Sequence, residues 1–220
     1  KTVCLTDKKN HRKNFWVSKE LEHAIKERLI KKEQTIIFLN RRGICFFIQC
    51  KNCSYIPTCK RCSVSMTLHN YNELHCHYCG KIEQVPTTCP TCKKEDFLKK
   101  GIGTQQVVAM LEKIFPHAKI SRADLETASK KKQWHQTVQE FNEGNIDILV
   151  GTQTITKGYH FPGVTLVGIL WADLNLHFPV YHAAETTLQQ LIQVAGRSGR
   201  ESKESLVIAQ TMNNHLIFSF

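Results

Sequence analysis

The sequence predicts an α/β protein, a parallel sheet sandwiched between helices and interrupted by a small cysteine-rich insertion. Two observations carry that prediction. Short apolar, β-branched runs alternate with stretches of helical periodicity: "QTIIFLN" at 34–40, "IDILVGT" at 146–152, "VTLVGIL" at 164–170 and "SLVIAQT" at 205–211. Between the first run and the rest, eight of the ten cysteines crowd into residues 50–92.

The elements follow in chain order. "SKELEHAIKERLIK" at 18–31 predicts a helix, with Ser18 as its cap, Glu20 in the first turn and Leu21, Ala24, Ile25 and Leu29 on one face. "QTIIFLN" then predicts a buried strand, punctuated by "RRG". Residues 50–97 have little aliphatic content and build no core without metal. "GIGTQQVVAMLEKIFP" gives a glycine turn and a helix with Val108, Leu111 and Phe115 inward, stopped at Pro116. "AKISRAD" is a strand. "QWHQTVQEFNEG" at 133–144 is a helix that turns Trp134, Val138 and Phe141 inward and stops at Gly144. The three further apolar runs are strands, and "QQLIQVAGRSGR" at 189–200 opens on an apolar helical run. Because α/β character resumes after the cysteines, the division expected is one α/β unit of residues 1–49 and 98–220 and an inserted metal-binding unit of 50–97.

The bulk composition bounds the function. The chain has 220 residues, 41% hydrophobic content and a mean hydropathy of -0.31, ordinary for a globular protein. No apolar stretch reaches the length of a membrane span, and the N-terminus lacks a signal-peptide core, so no membrane is expected. The start without methionine and the stop at "NNHLIFSF" suggest a piece of a longer protein. Net charge is +11, and residues 1–49 supply most of the excess, with 12 basic and 5 acidic residues. A polyanion such as DNA or RNA fits that distribution, and so does a lysine-rich solvated surface.

The cysteines form four Cys-x-x-Cys pairs: Cys50/Cys53, Cys59/Cys62, Cys76/Cys79 and Cys89/Cys92. Two-residue spacing turns both thiolates toward one tetrahedral ion, and two Cys4 zinc sites are the expected outcome. An iron–sulfur cluster or redox pairs also use cysteines. Cys53 and Cys59 are too close in sequence for their pairs to fold easily around one ion, whereas the link from Cys62 to Cys76 makes a comfortable ribbon loop. The pairing expected is therefore nested, with Cys59, Cys62, Cys76 and Cys79 inside and Cys50, Cys53, Cys89 and Cys92 outside, closing the neck of the insertion. His75 and His77 flank Cys76 as spare donors, and Cys4 and Cys45 have no partner at metal spacing and read as packing residues. Zinc thiolates suit a reducing, cytoplasmic compartment.

Four patterns now stand in order: "QTIIFLNRRG", "GIGTQQVVAMLEKIFPHAKISRAD", "ILVGTQTITKGYHFPGVTLVGIL" and "QQLIQVAGRSGR". This order resembles the C-terminal motor lobe of superfamily 2 helicases, a RecA-like parallel-sheet lobe. The cysteine pairs inserted after "NRRG" narrow the resemblance to the bacterial primosomal replication-restart DNA helicases, the PriA family. The resemblance implies an ATP-driven motor moving 3′ to 5′ on DNA, acting at stalled replication forks and promoting primosome assembly and replication restart. Its implied partners are branched and single-stranded DNA, primosome proteins and single-stranded-DNA-binding proteins.

By the same resemblance, Arg197 and Arg200 match the two arginines of the last helicase motif and would be catalytic, stabilising charge on the γ-phosphoryl group. Lys157, Gly158 and Gln193 would join them around ATP. Thr152 and Gln153 in "GTQTITKG", with Arg41 and Arg42 at a strand end, are candidate DNA-phosphate contacts. His160 stands where many superfamily members carry an aspartate, and no role is assigned to it. Trp171 reads as packing rather than a base-stacking platform. No G-x-x-x-x-G-K-[ST] occurs in the chain, so ATP and Mg2+ would be held together with a second lobe, and the chain alone is expected to be inactive. The competing class is a zinc-ribbon nucleic-acid-binding or scaffolding module without motor activity.

Overall fold

The computed structural model describes residues 1–7, 16–39, 48–69, 72–98, 103–123, 131–156, 159–177, 182–197 and 204–212. In chain order they form β1 (Thr2–Cys4), α1 (Lys19–Ile30), β2 (Gln34–Leu39), β3 (Gln49–Cys50), β4 (Thr67–His69), β5 (Glu73–His75), β6 (Ile82–Gln84) and β7 (Phe97–Leu98). After these come α2 (Thr104–Ile114), β8 (Ile120–Ala123), α3 (Lys131–Asn142), β9 (Ile148–Gly151), β10 (Val164–Leu170), α4 (Ala183–Ala195) and β11 (Leu206–Thr211). Short 3-10 turns lie at Gln153–Thr156 and Leu174–His177.

Among the described residues, six strands form one parallel sheet in the order β1-β11-β10-β2-β9-β8. Strand β2 explains why both faces are covered. All six of its residues are buried, and successive side chains point to opposite sides. Ile37 and Leu39 pack with Leu21, Ala24 and Ile25 of α1 and Val107 and Leu111 of α2. Ile36 and Phe38 pack with Trp134, Val138 and Phe141 of α3 and Leu191 and Val194 of α4. The result is the expected three-layer α/β arrangement, with a cysteine-rich segment joined between β2 and α2.

Local chemistry accounts for the ends. The Ser18 hydroxyl accepts from Leu21 N–H at 3.1 Å and caps α1. Gly144 follows α3 at φ +77°, where a side chain would strain the backbone. On β10, a Cβ at Gly168 would stand 2.7 Å from Leu21 Cδ1 and 2.8 Å from Ile37 Cδ1, so glycine lets α1 lie close to the sheet. One inward position differs from expectation. In α2 it is Val107, not Val108, that is fully buried beside Leu111, because the helix starts at Thr104 and turns that position onto the sheet.

The cysteine segment has two small sheets of its own. β3 pairs antiparallel with β7, and β4, β5 and β6 form an antiparallel meander. Its core is small: Ile48, Met66, Leu68 and Leu74 with Cys59 and Cys76. No helix among the described residues is long and apolar enough to cross a membrane.

Candidate functional sites

All four Cys-x-x-Cys turns are built alike. The fourth residue after each leading cysteine sits in the left-handed region: Ser54 at φ 63°, Ser63 at 56°, Gly80 at 69° and Lys93 at 60°. Its N–H donates back to the leading cysteine's carbonyl, from Ser54 to Cys50 at 2.9 Å, Ser63 to Cys59 at 2.8 Å, Gly80 to Cys76 at 2.9 Å and Lys93 to Cys89 at 2.9 Å. The leading cysteine's N–H in turn donates to the residue after, Tyr55, Val64, Lys81 and Lys94 respectively. The tight turn points both thiols of a pair the same way, as shared coordination requires.

The pairs then meet in two tetrads. Cys50, Cys53, Cys89 and Cys92 form one, and Cys59, Cys62, Cys76 and Cys79 the other; within each, all sulfurs lie within 4.8 Å of one another. The arrangement is nested, as the spacings suggest. Sulfur separations are 3.5 Å for Cys50–Cys92, 3.5 Å for Cys53–Cys89 and 3.7 Å for Cys59–Cys79. Four sulfurs at Zn–S bonds of about 2.3 Å form a tetrahedron with edges of ~3.8 Å, so the donor sets fit zinc and are far from disulfide contact.

The thiols differ in acidity. Burial and the neighbouring Cys89 thiol push Cys53 up to about 12, and a hydrogen bond with Cys79 pushes Cys62 up to about 12. At Cys59, burial raises the thiol but is outweighed by the Arg61 and Cys62 backbone N–H groups, which bring it to about 7. Cys89 behaves alike, with burial outweighed by the N–H groups of Cys92 and Thr91. Burial raises Cys50 as well. Each tetrad thus pairs a thiol brought down toward neutrality with at least one pushed up, whose proton a bound ion would displace.

The outer tetrad is latched to the large sheet. Ser54, 3% exposed, donates its hydroxyl to the Met212 carbonyl at 2.7 Å, just beyond the end of β11. Thr6 donates to the same oxygen at 2.7 Å. The Met212 N–H donates to the carboxylate of fully buried Asp173, 3.0 Å from each oxygen. Around this lie Leu5, Trp171 and Leu174, with Trp16 and Leu98 against them. Trp171 is 2% exposed, its ring centroid 5.0 Å from that of Trp16, so it is a packing residue. Asp173 leads into the Leu174–His177 turn, where Asn175 donates to Gln190 of α4 at 3.3 Å.

Helix α4 ends at Ala195 with Gly196 as its cap, and Arg197 follows. Its guanidinium donates Nη1–H to the Tyr159 carbonyl, which lies directly after the "TKG" of the loop following β9. The Trp134 indole donates to the Tyr159 hydroxyl at 2.6 Å and holds that ring. The loop after β9 and the arginine after α4 therefore come together. Gln193 is exposed on α4. Thr152 and Gln153 are partly exposed at the C-terminal end of β9, and the Thr152 N–H is committed to the Ala123 carbonyl at 3.2 Å. His160 is exposed. Cys4 is half-buried, its sulfur 3.4 Å from Thr6 Oγ1. Arg41, Arg42, Cys45, Lys157, Gly158 and Arg200 lie outside the described residues.

Sequence reasoning left the Ser54–Met212–Asp173 latch unseen. The only hint was a serine directly after Cys53, and its partner lies 158 residues away.

Comparison with known proteins gives matching signals. Residues 80–202 match the helicase conserved C-terminal domain, and residues 59–83 match the PriA DNA helicase Cys-rich region domain. The chain is 46% identical over 213 residues to the replication restart protein PriA of Bacillus subtilis, covering 95% of this chain and 26% of that protein. It is 42% identical over 181 residues to the PriA of Treponema pallidum, covering 82% and 27%. A solved Pyrococcus furiosus Hef helicase domain is similar at 19% identity with a TM-score of 0.41, covering 89% of this chain and 26% of that one. The chain thus spans about a quarter of the length of these PriA relatives.

Proposed function

Since the chain belongs to the helicase conserved C-terminal domain family, we propose that it is the C-terminal lobe of an ATP-dependent 3′–5′ DNA helicase that acts at stalled replication forks and promotes replication restart. The observation that carries this reading is the joint presence, in one chain, of a helicase-type parallel sheet and the PriA-type cysteine region latched to it. The similarity to replication restart proteins over 95% and 82% of the chain supports it, and the scaffolding alternative is not favoured.

In this reading residues 1–49 and 98–220 are the motor lobe and 50–97 the zinc-binding insertion. The eight tetrad cysteines hold two structural Zn2+ ions. Arg197 and Arg200 reach across a cleft to a nucleotide and Mg2+ held mainly by a second lobe, with Lys157, Gly158 and Gln193 lining the near side. A guanidinium suits that place because it keeps its charge and presents a planar fork to phosphoryl oxygens. The hydrogen bond from Arg197 to the Tyr159 carbonyl sets that arginine beside the loop after β9, which supports this placement. Thr152, Gln153, Arg41 and Arg42 contact the DNA backbone, which is branched or single-stranded at a fork. Primosome and single-stranded-DNA-binding proteins are the partners, and the setting is cytoplasmic.

The test compares the chain alone with the same chain joined to a complete second lobe from a relative. Fork-stimulated ATP hydrolysis by the joined protein, and none by the chain alone, is the expected result. Hydrolysis by neither, with fork binding retained by the chain, would favour a binding module instead.

A further inference from the structure

Three histidines stand together beside the β4–β5–β6 meander, two of them flanking Cys76 of the inner tetrad. The strand register explains why. His69 lies directly across from Glu73, and Thr67 across from His75, so alternate residues of β4 and β5 share one face while Leu68 and Leu74 turn into the small core. The His69 and His75 rings stack with centroids 4.2 Å apart. His77, in the turn between Cys76 and Cys79, brings its Nε2 to 3.2 Å from His69 Nε2. His75 Nε2 sits 3.0 Å from a Glu73 carboxylate oxygen.

From this cluster we propose a third metal site, held by His69 and His77 and binding a divalent first-row cation, Zn2+ in the first place. Geometry is the first argument. Two nitrogens bound to one tetrahedral zinc at about 2.0–2.1 Å are ~3.3 Å apart, close to the separation already present. Preorganisation is the second. His69 is fixed on a strand and stacked on His75, and His77 is fixed by the Cys76–Cys79 turn, so little ordering remains to be done. Chemistry is the third. Imidazole is a good ligand for borderline divalent cations. The Glu73 carboxylate is engaged with His75, so the two imidazoles are the protein's donors. Burial, reinforced by His75 and His77 and opposed by Glu73, lowers the basicity of His69, which favours the neutral form that binds metal. His77 is exposed, so water completes the coordination.

Without the ion, the same separation is an N–H···N hydrogen bond in which one Nε2 carries the proton. On binding, that ring moves its proton to Nδ1 by exchange with solvent, and both Nε2 lone pairs face the cation. No net proton release is needed. The consequence is mechanical: the ion ties the Cys76–Cys79 turn, with Tyr78 64% exposed beside it, to strand β4.

The test uses the full chain with both tetrads zinc-loaded. Zn2+ is added by equilibrium dialysis and bound metal is counted. Wild type should retain a third equivalent. His77→Asn and the His69→Asn/His77→Asn double variant should retain two, and His160→Asn, an exposed control, three. Cobalt-loaded samples report folding through thiolate-to-cobalt absorption, which should be the same in all variants. Imidazole 15N resonances provide a readout free of mutation, and Nε2 of His69 and His77 should shift together as the third equivalent binds. A plateau at two equivalents in wild type overturns the proposal. So does a third equivalent that survives the double substitution, or one that leaves both Nε2 resonances in place.

Discussion

The latch between the outer cysteine tetrad and the large sheet can be taken apart atom by atom. The Met212 carbonyl, in a residue 0% exposed, accepts from Ser54 Oγ and from Thr6 Oγ1, each at 2.7 Å. The next donor near it is the Cys4 thiol at 3.6 Å, a weak one. Ser54→Ala removes one hydroxyl and leaves the oxygen satisfied by the other, so the cost is a single neutral hydrogen bond, about 1 kcal/mol. Thr6→Val removes the second with little change of volume, also about 1 kcal/mol. Together they leave a buried carbonyl with only the thiol, which adds a desolvation cost of about 1–2 kcal/mol to the sum. For a chain of this size, each kcal/mol lowers the melting temperature by roughly 2–4 °C. The single variants should each melt roughly 2–4 °C lower and the double variant roughly 6–16 °C lower. The assay is thermal unfolding of metal-saturated protein, with zinc per chain measured beside it and expected to be unchanged. An additive double variant would refute the reasoning, as would a Ser54→Ala protein that melts like wild type.

Three other outcomes follow from the same structure. Chelation should unfold residues 50–97 first, because their small core depends on metal, while the sheet flanked by α1–α4 keeps its protection from hydrogen exchange; loss of both together would contradict this. Gly80→Ala should destabilise the inner tetrad by about 1 kcal/mol, since φ is +69° and nothing lies within 4 Å of the added carbon, so the cost is backbone strain alone; competition with a chelator reads it as weaker zinc retention. DNA binding by the complete protein should depend on fork structure, ignore base sequence and weaken steeply with salt, as titrations at several ionic strengths will show. A strong preference for one base sequence at fixed structure would count against backbone contacts by the loop at Thr152.

Much of the fold was legible because its signals are local. The alternation Ile36, Ile37, Phe38, Leu39 marks a strand buried on both faces, and Trp134, Val138 and Phe141 recur at helical spacing. The cysteine spacings alone implied the nested tetrads, since the short link from Cys53 to Cys59 disfavours sequential pairing. What escaped depends on distant partners or on weak local codes. Strand β1 has three residues, with Val3 buried, and exists because β11 offers it an edge. Three of the four left-handed turn positions are Ser54, Ser63 and Lys93 rather than glycine, so the usual composition cue is missing. The approach of His69 to His77 follows from the β4–β5 pairing together with the turn at Cys76–Cys79, and the Asp173–Met212–Ser54 chain joins three places far apart in sequence. Of the residues expected around nucleotide, the described structure brings Arg197 against the loop after β9 and leaves Gln193 exposed on α4.

The claim that this lobe acts on a nucleotide rather than merely binding DNA meets its most direct test in Arg200→Ala, made in the complete protein. Steady-state ATP hydrolysis with fork DNA is measured on the same preparation as equilibrium binding of nucleotide and of fork DNA. An arginine that stabilises the transition state is worth a factor of about 10³–10⁵ in turnover, so DNA-stimulated hydrolysis and unwinding should be abolished. Nucleotide binding should fall far less, and fork binding and zinc content should stay near wild type. Turnover that persists near wild type while fork binding collapses would make Arg200 a DNA anchor and contradict the motor-lobe reading.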